Sequence, residues 1–137
     1  MKMSELEIST DKTRLDLDFV TDFISNTYWA KGRTKEAMQT CIDHSLNFGV
    51  YLQNKQIGYA RVVTDFVQFA YLMDVFITVE HRGKGYSKKL MQFILDNDEL
   101  KSVKMWRLAS SNAQGLYSQF GFEPLAKPEV MMELIRK

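Results

Sequence analysis

The chain has 137 residues, one cysteine, a hydrophobic fraction of 45 % and a formal net charge of +1. Such a length suits one domain around one core. A lone cysteine excludes an internal disulfide, and a near-neutral balance argues against nucleic acid or a membrane surface as partner.

The opening stretch, MKMSELEIST, lacks the apolar segment of a secretory signal, and no run approaches the ~20 apolar residues of a membrane helix. A soluble, cytoplasmic protein is expected. Leu6 and Ile8 alternate with polar neighbours, which suits a short edge strand. From Asp16 the period becomes helical, with Leu17, Val20, Ile24 and Tyr28 on one stripe and Asp16 and Asp18 at the favourable end of the dipole. Gly32 breaks that pattern. Thr34 caps a second helix carrying Met38, Cys41, Ile42 and Ser45 on one face. Cys41 reads as a small buried hydrophobe, since nothing nearby would activate a thiolate. His44 has no second His or Cys at metal spacing and reads as a helix-end residue.

Phe48 to Gln53 and Gln56 to Thr64 are predicted strands joined by a tight hairpin at Asn54-Lys55. Asp65 to Ala70 connects them to a strand from Tyr71 to Val79 whose mixed apolar faces suit burial on both sides. The chain then breaks at Gly83 and Gly85 and resumes as an amphipathic helix with Leu90, Met91, Ile94 and Leu95 inward. Val103 to Ala109 is a further strand. Ser110, Ser111 and Asn112 offer caps for a short helix around Gly115 to Phe120, which Gly121 closes. Glu129 to Arg136 is the last strand expected, although Met-Met-Glu-Leu-Ile would also suit a helix. The order is strand, two helices, three strands, helix, strand, helix, strand: an α/β fold with a mixed sheet flanked by helices in a single domain, residues 1–137.

The stretch from Val75 to Asn97 carries the chemistry. A strand, a glycine turn and a helix leave main-chain N–H groups without partners at the positive end of a helix dipole, where an anion settles, most often phosphate. Gly83 and Gly85 permit positive φ or close approach of a ligand. Arg82, Lys84, Lys88 and Lys89 add cations. The Walker pattern cannot be fitted, and Lys88 stands where the dinucleotide fingerprint would need its third glycine.

Arg82-Gly83-Lys84-Gly85-Tyr86-Ser87 resembles the R/Q-x-x-G-x-G/A loop of the GNAT superfamily of acyl-CoA-dependent N-acetyltransferases. Leu116-Tyr117-Ser118-Gln119-Phe120-Gly121-Phe122 is similar to that family's L-Y-x-x-x-G-F segment, and the element order matches over essentially the whole chain. The resemblance implies a GNAT-like acyl-CoA N-acyltransferase fold, with acetyl-CoA as co-substrate and no metal. Gly83 to Lys88, including Lys84, Gly85, Tyr86 and Ser87, would bind the coenzyme A pyrophosphate, with Arg82 opening the motif. Val75, Phe76 and Ile77 would pair with the pantetheine arm, and a backbone N–H near Phe76 or Ile77 would face the thioester oxygen. Tyr117 would stand near the sulfur as general acid; otherwise it is a core aromatic with its hydroxyl at the surface. Ser87 replaces the small Gly/Ala that ends the usual loop. Ser110 falls where many relatives carry Asn, so Asn112 is either a coenzyme contact or a helix cap.

Family positions for a base fall on Tyr71, Met73 and Met105. Asp74 is the carboxylate of its strand, pointing away from the Tyr71/Met73 side unless a bulge intervenes; it is a candidate base or a structural acceptor, and ordered water is the other route for the proton. The connection Asn26 to Arg33 would form the acceptor pocket: Tyr28 and Trp29 as walls for an apolar or cationic amine, Arg33 for an acidic group. Tyr28 and Trp29 would otherwise end the first helix's core stripe. The expected partners are acetyl-CoA and an amine acceptor, with no nucleic acid and no membrane, in a monomer or homodimer. A coenzyme A-holding sensor without turnover is the competing expectation, raised by the lack of an evident base.

Overall fold

The structure is a computed structural model and describes residues 5–136. Side-chain caps start the first two helices: Asp16, expected as a favourable charge at the dipole's end, and Thr34, expected as a cap. Asp16 Oδ1 accepts from the Phe19 N–H at 3.0 Å and opens α1 (Leu17–Ser25). Thr34 Oγ1 accepts from the Ala37 N–H at 3.1 Å and opens α2 (Lys35–Asp43). Each supplies an acceptor to a helix end that has none of its own. The α1 stripe stops earlier than its spacing suggests: the helix ends at Ser25, and Tyr28 lies outside it and exposed. Ser45 likewise falls beyond α2.

The strands are β1 (Leu6–Ser9), β2 (Leu46–Leu52), β3 (Lys55–Thr64), β4 (Phe69–Ile77) and β5 (Met105–Arg107), in one sheet of that same order. β1 to β4 pair antiparallel, and β5 joins β4 in parallel after the crossover helix α3 (Tyr86–Leu95). The β2–β3 turn sits at Gln53-Asn54, one residue before the predicted place, because both residues take the positive φ that a tight hairpin requires. β4 starts and stops two residues early, and Val79–His81 form a 3-10 turn. β5 is much shorter than expected. The last predicted strand does not form: after the 3-10 turn Pro128–Val130, residues 131–136 belong to no helix or strand.

Side chains alternate across the sheet into two cores. One face puts Phe48, Val50, Val62 and Leu72 against Leu90, Met91 and Ile94 of α3. The other puts Tyr59 and Phe76 against Val20, Ile24, Met38 and Ile42 of α1 and α2. The Phe23 ring stacks on Phe76 at 3.9 Å, so α1 fixes the side chain of one residue at the end of β4. A buried Asn47 ties the layers together. Its Nδ2 donates to Ile42 O at 2.8 Å, and its Oδ1 accepts from the Tyr59 hydroxyl. Burial holds the Tyr59 phenol well above its ordinary pKa, so it remains a donor.

Candidate active site

Three features converge where β4 ends. The first is the glycine turn. Gly83 and Gly85 both take φ of +79°, and Gly85 is the residue before α3. No side chain caps this helix. Among the described residues, the main-chain N–H groups of Gly83, Lys84, Gly85, Tyr86, Ser87 and Lys88 make no hydrogen bond within the chain, whereas that of Lys89 already reaches Gly85 O. Gly83, Gly85, Tyr86, Ser87 and Lys88 line a hollow of about 100 Å³ together with Ile77, His81 and Arg82. Among the described residues Lys84, Lys88 and Lys89 form no ion pair, leaving the rim positive. Arg82 folds back, its Nε donating to Ile77 O at 2.9 Å, and stiffens the joint between strand and turn. A positive, amide-lined hollow at a helix N-terminus fits a diphosphate.

The second feature is a gap in the sheet. The β4–β5 ladder ends at Tyr71↔Arg107, while β4 runs on to Ile77. Beyond the ladder, Leu108 to Ala113 diverge from Tyr71 to Val75 and leave a cleft of about 540 Å³, a size that suits a small ligand. Thr78 N–H bonds Ile57 O on the β3 side at 2.9 Å. Alternation then turns the Ile77 N–H toward the edge that β5 has left.

The third feature is a bulge in β4. Tyr59 opposes Phe76 and Arg61 opposes Met73, so Asp74 and Val75 both face Ala60. Asp74 takes φ of +56°, a left-handed conformation that Asp tolerates better than most residues. Its carboxylate is fully buried and accepts three donors: Trp29 Nε1 at 3.1 Å, Arg33 Nη1 at 2.7 Å and Arg61 Nε at 2.9 Å.

The predicted loop residues other than Lys84 line the hollow, and the predicted acceptor-side and catalytic residues line the cleft. Tyr28, Trp29, Arg33, Asp74, Val75, Asn112 and Tyr117 all line it. Tyr28 and Trp29 meet edge to face at 5.2 Å, and the Tyr28 hydroxyl lies 3.1 Å from Ser111 Oγ, bridging the cleft's two sides. Tyr117, in α4 (Gln114–Ser118), has a buried ring set edge-on to Phe122 at 6.0 Å. Among the described residues its hydroxyl has no protein partner and is not sealed from solvent. Burial raises the Tyr117 pKa above the ordinary phenol value. Asn112 is not the cap of α4, which has no side-chain cap; Ser110 Oγ accepts from the Ala113 N–H at 2.9 Å just before the helix. Phe76 does not line the cleft: its ring belongs to the core, and its backbone, by the same alternation, faces β3, which leaves Ile77 of the two expected N–H donors. Arg61 escaped prediction. A charged residue amid the β3 apolar run was the available signal, and its partner lies 13 residues away across the bulge.

An open α/β sheet whose strand β4 leads into an amide-lined anion turn beside a splayed cleft is the architecture of the GNAT acyl-CoA N-acyltransferase fold. The family model for the acetyltransferase (GNAT) domain matches residues 43–124. A crystal structure of a GNAT-family protein from Xanthomonas campestris pv. campestris superposes with a TM-score of 0.93 at 40 % identity, over 98 % of this chain and 96 % of that one. A candidate acetyltransferase of Clostridium acetobutylicum, solved with acetyl-CoA, shares the fold at a TM-score of 0.68 and 14 % identity, over 97 % and 96 % of the two chains. A candidate acetyltransferase of Gibberella zeae is 28 % identical over 107 residues, 64 % of this chain; the match spans 60 % of that relative's length. The chain belongs to the GNAT acetyltransferase family.

Proposed function

We propose that the protein is an acetyl-CoA-dependent N-acetyltransferase that moves an acetyl group to a primary amine by direct attack in a ternary complex. The observation that carries this is the run of N–H groups from Gly83 to Lys88, without partners among the described residues, in the turn that follows the strand lining the Tyr117 cleft. The turn would hold the diphosphate of coenzyme A, and the freed edge of β4 at Val75 and Ile77 would pair with the pantetheine arm as an added strand does. Acetyl-CoA supplies an activated acyl carbon and a thiol leaving group. The acceptor nitrogen forms a C–N bond as the C–S bond breaks; the electron pair leaves on sulfur, and the amine's proton goes to solvent. The Ile77 N–H, fixed by the sheet, would stabilise negative charge developing on the carbonyl oxygen. The Tyr117 hydroxyl would donate to the departing sulfur. Holding amine and acyl donor side by side supplies the orientation.

Asp74 is better read as a wall of the site than as its base. Its carboxylate is fully buried, and both oxygens already accept from two guanidinium groups and an indole N–H, which hold it in its ionised form as an acceptor for the protein's own donors. Ordered water is the proton acceptor in this scheme. The same observation sustains a second reading, a coenzyme A-binding sensor without turnover.

Coenzyme A at about 100 times its dissociation constant should raise the unfolding free energy by roughly 2.7 kcal/mol. A thiol-release assay with acetyl-CoA over an amine panel then separates the readings. Turnover supports the transferase, binding with no turnover on any amine supports the sensor, and no thermal shift defeats both.

A further inference from the structure

The acceptor side of the cleft has an uneven charge. Arg33 and Asp74 are the charged residues in its lining. The Asp74 carboxylate is fully buried and already shared between Arg33 and Arg61. Two guanidinium groups around one carboxylate leave a net charge of +1. Arg61 spends its other contact behind the cleft, with Nη1 on Ser45 Oγ at 3.1 Å. Arg33 remains 18 % exposed, and among the described residues its Nε and Nη2 make no hydrogen bond. The excess charge therefore faces the cleft through a planar edge with two parallel donors, a shape that matches a carboxylate.

We infer that the acceptor is a small primary amine that also carries a carboxylate, seated on the free edge of Arg33 with its apolar body against Trp29 and Tyr28. This rests on the transferase reading above. The cleft offers no carboxylate to an ammonium group, so a polyamine or an amino-sugar with several ammonium groups meets only like charge. The same positive wall favours the amine in its neutral, nucleophilic form. That compensates for the lack of a side-chain base.

The test is a thiol-release panel of matched pairs at saturating acetyl-CoA: phenylalanine against 2-phenylethylamine, 4-aminobutyrate against butylamine, and spermidine as the polycation. The acid-bearing member of a pair should show kcat/KM higher by about tenfold or more, and Arg33→Gln should remove the preference. A second readout needs neither turnover nor a variant. Phenylacetate should protect the wild-type protein thermally and compete with the acceptor, while butylammonium should do neither. Preference for 2-phenylethylamine or spermidine, an unchanged preference in Arg33→Gln, or no protection by phenylacetate overturns the inference while leaving the transferase reading intact. Loss of the coenzyme A thermal shift removes the transferase reading and this inference with it.

Discussion

Tyr117→Phe removes one oxygen from the cleft and little else. The ring is buried and set against Phe122, and phenylalanine keeps that packing. The hydroxyl has no protein partner among the described residues, so no hydrogen bond is lost and no buried group is stranded. Stability should stay within about 0.5 kcal/mol of the wild type, as for a change away from any named destabilising mechanism. Catalysis should fare differently. A positioned general acid contributes roughly 10²–10⁴-fold, and a loss of about 100-fold corresponds to about 2.7 kcal/mol of transition-state stabilisation. An ordinary thiol titrates near pH ~8.5 and a phenol near ~10, and burial pushes Tyr117 higher still. In the proposed mechanism Tyr117 would therefore stabilise the departing thiolate chiefly by donating a hydrogen bond, and it would stay protonated throughout the neutral range. The assay is thiol release at saturating acetyl-CoA and acceptor, run beside thermal unfolding. A lower kcat with an unchanged KM for acetyl-CoA and an unchanged Tm is expected, and any alkaline limb due to Tyr117 should lie above pH ~10. A kcat within about threefold of the wild type, with the protein folded, would refute the role given to this hydroxyl.

Asp74→Ala should lower stability by about 3–5 kcal/mol, since it strands Arg61 and Arg33 beside an emptied acceptor; denaturant unfolding checks it, and lost activity at full stability would instead restore Asp74 as a base. Gly58→Ala places a Cβ 2.8 Å from Phe76 O and 2.7 Å from Ile77 Cδ1, where β3 crowds the end of β4. It should cost about 1–3 kcal/mol and weaken coenzyme A binding by displacing that strand end; unchanged calorimetric affinity would count against Val75–Ile77 as the pantetheine edge. Asp65 Oδ1 accepts the N–H groups of Val67, Gln68 and Phe69, which hold its carboxyl below the usual carboxylate range. A depressed folded-state pKa stabilises above the unfolded value and is lost as pH falls through the folded one. The Tm gap between wild type and Asp65→Ala should therefore be open at pH 7 and close on acidification below about pH 4; a gap that widens in acid contradicts the capping role.

Local signals in the sequence placed what depends on local chemistry. Asp16, Thr34 and Gly121 end or start helices by interactions within a few residues, and each does so in the structure. The glycine turn was legible for the same reason: its amides lack partners because of where a strand stops and a helix begins. What escaped was decided by partners far along the chain. The hairpin slipped by one residue because the β2–β3 register, not the Asn-Lys pair, sets which residues take positive φ. Arg61 and Asn47 look like interruptions of apolar strands until Asp74 and Tyr59 are placed opposite them. The final segment has the composition of a strand, yet composition does not supply the partner edge that a strand needs.

Asp74 shows how the two kinds of information join. Its positive φ costs on the order of 1–3 kcal/mol, and nothing in its neighbours' identities calls for it. Three donors, from the α1–α2 connection and from β3, make the conformation tenable. The bulge it forms lies in the part of β4 that has lost its partner β5, and a bulge bends its strand and sharpens its twist. One buried carboxylate therefore fixes Trp29 and Arg33, the proposed acceptor wall, and lies in the bend of the strand whose freed edge would face the acyl donor. On the proposed function the two substrates' sites would be coupled through it, so a change at Arg33 or Arg61 should disturb coenzyme A binding as well as acceptor choice.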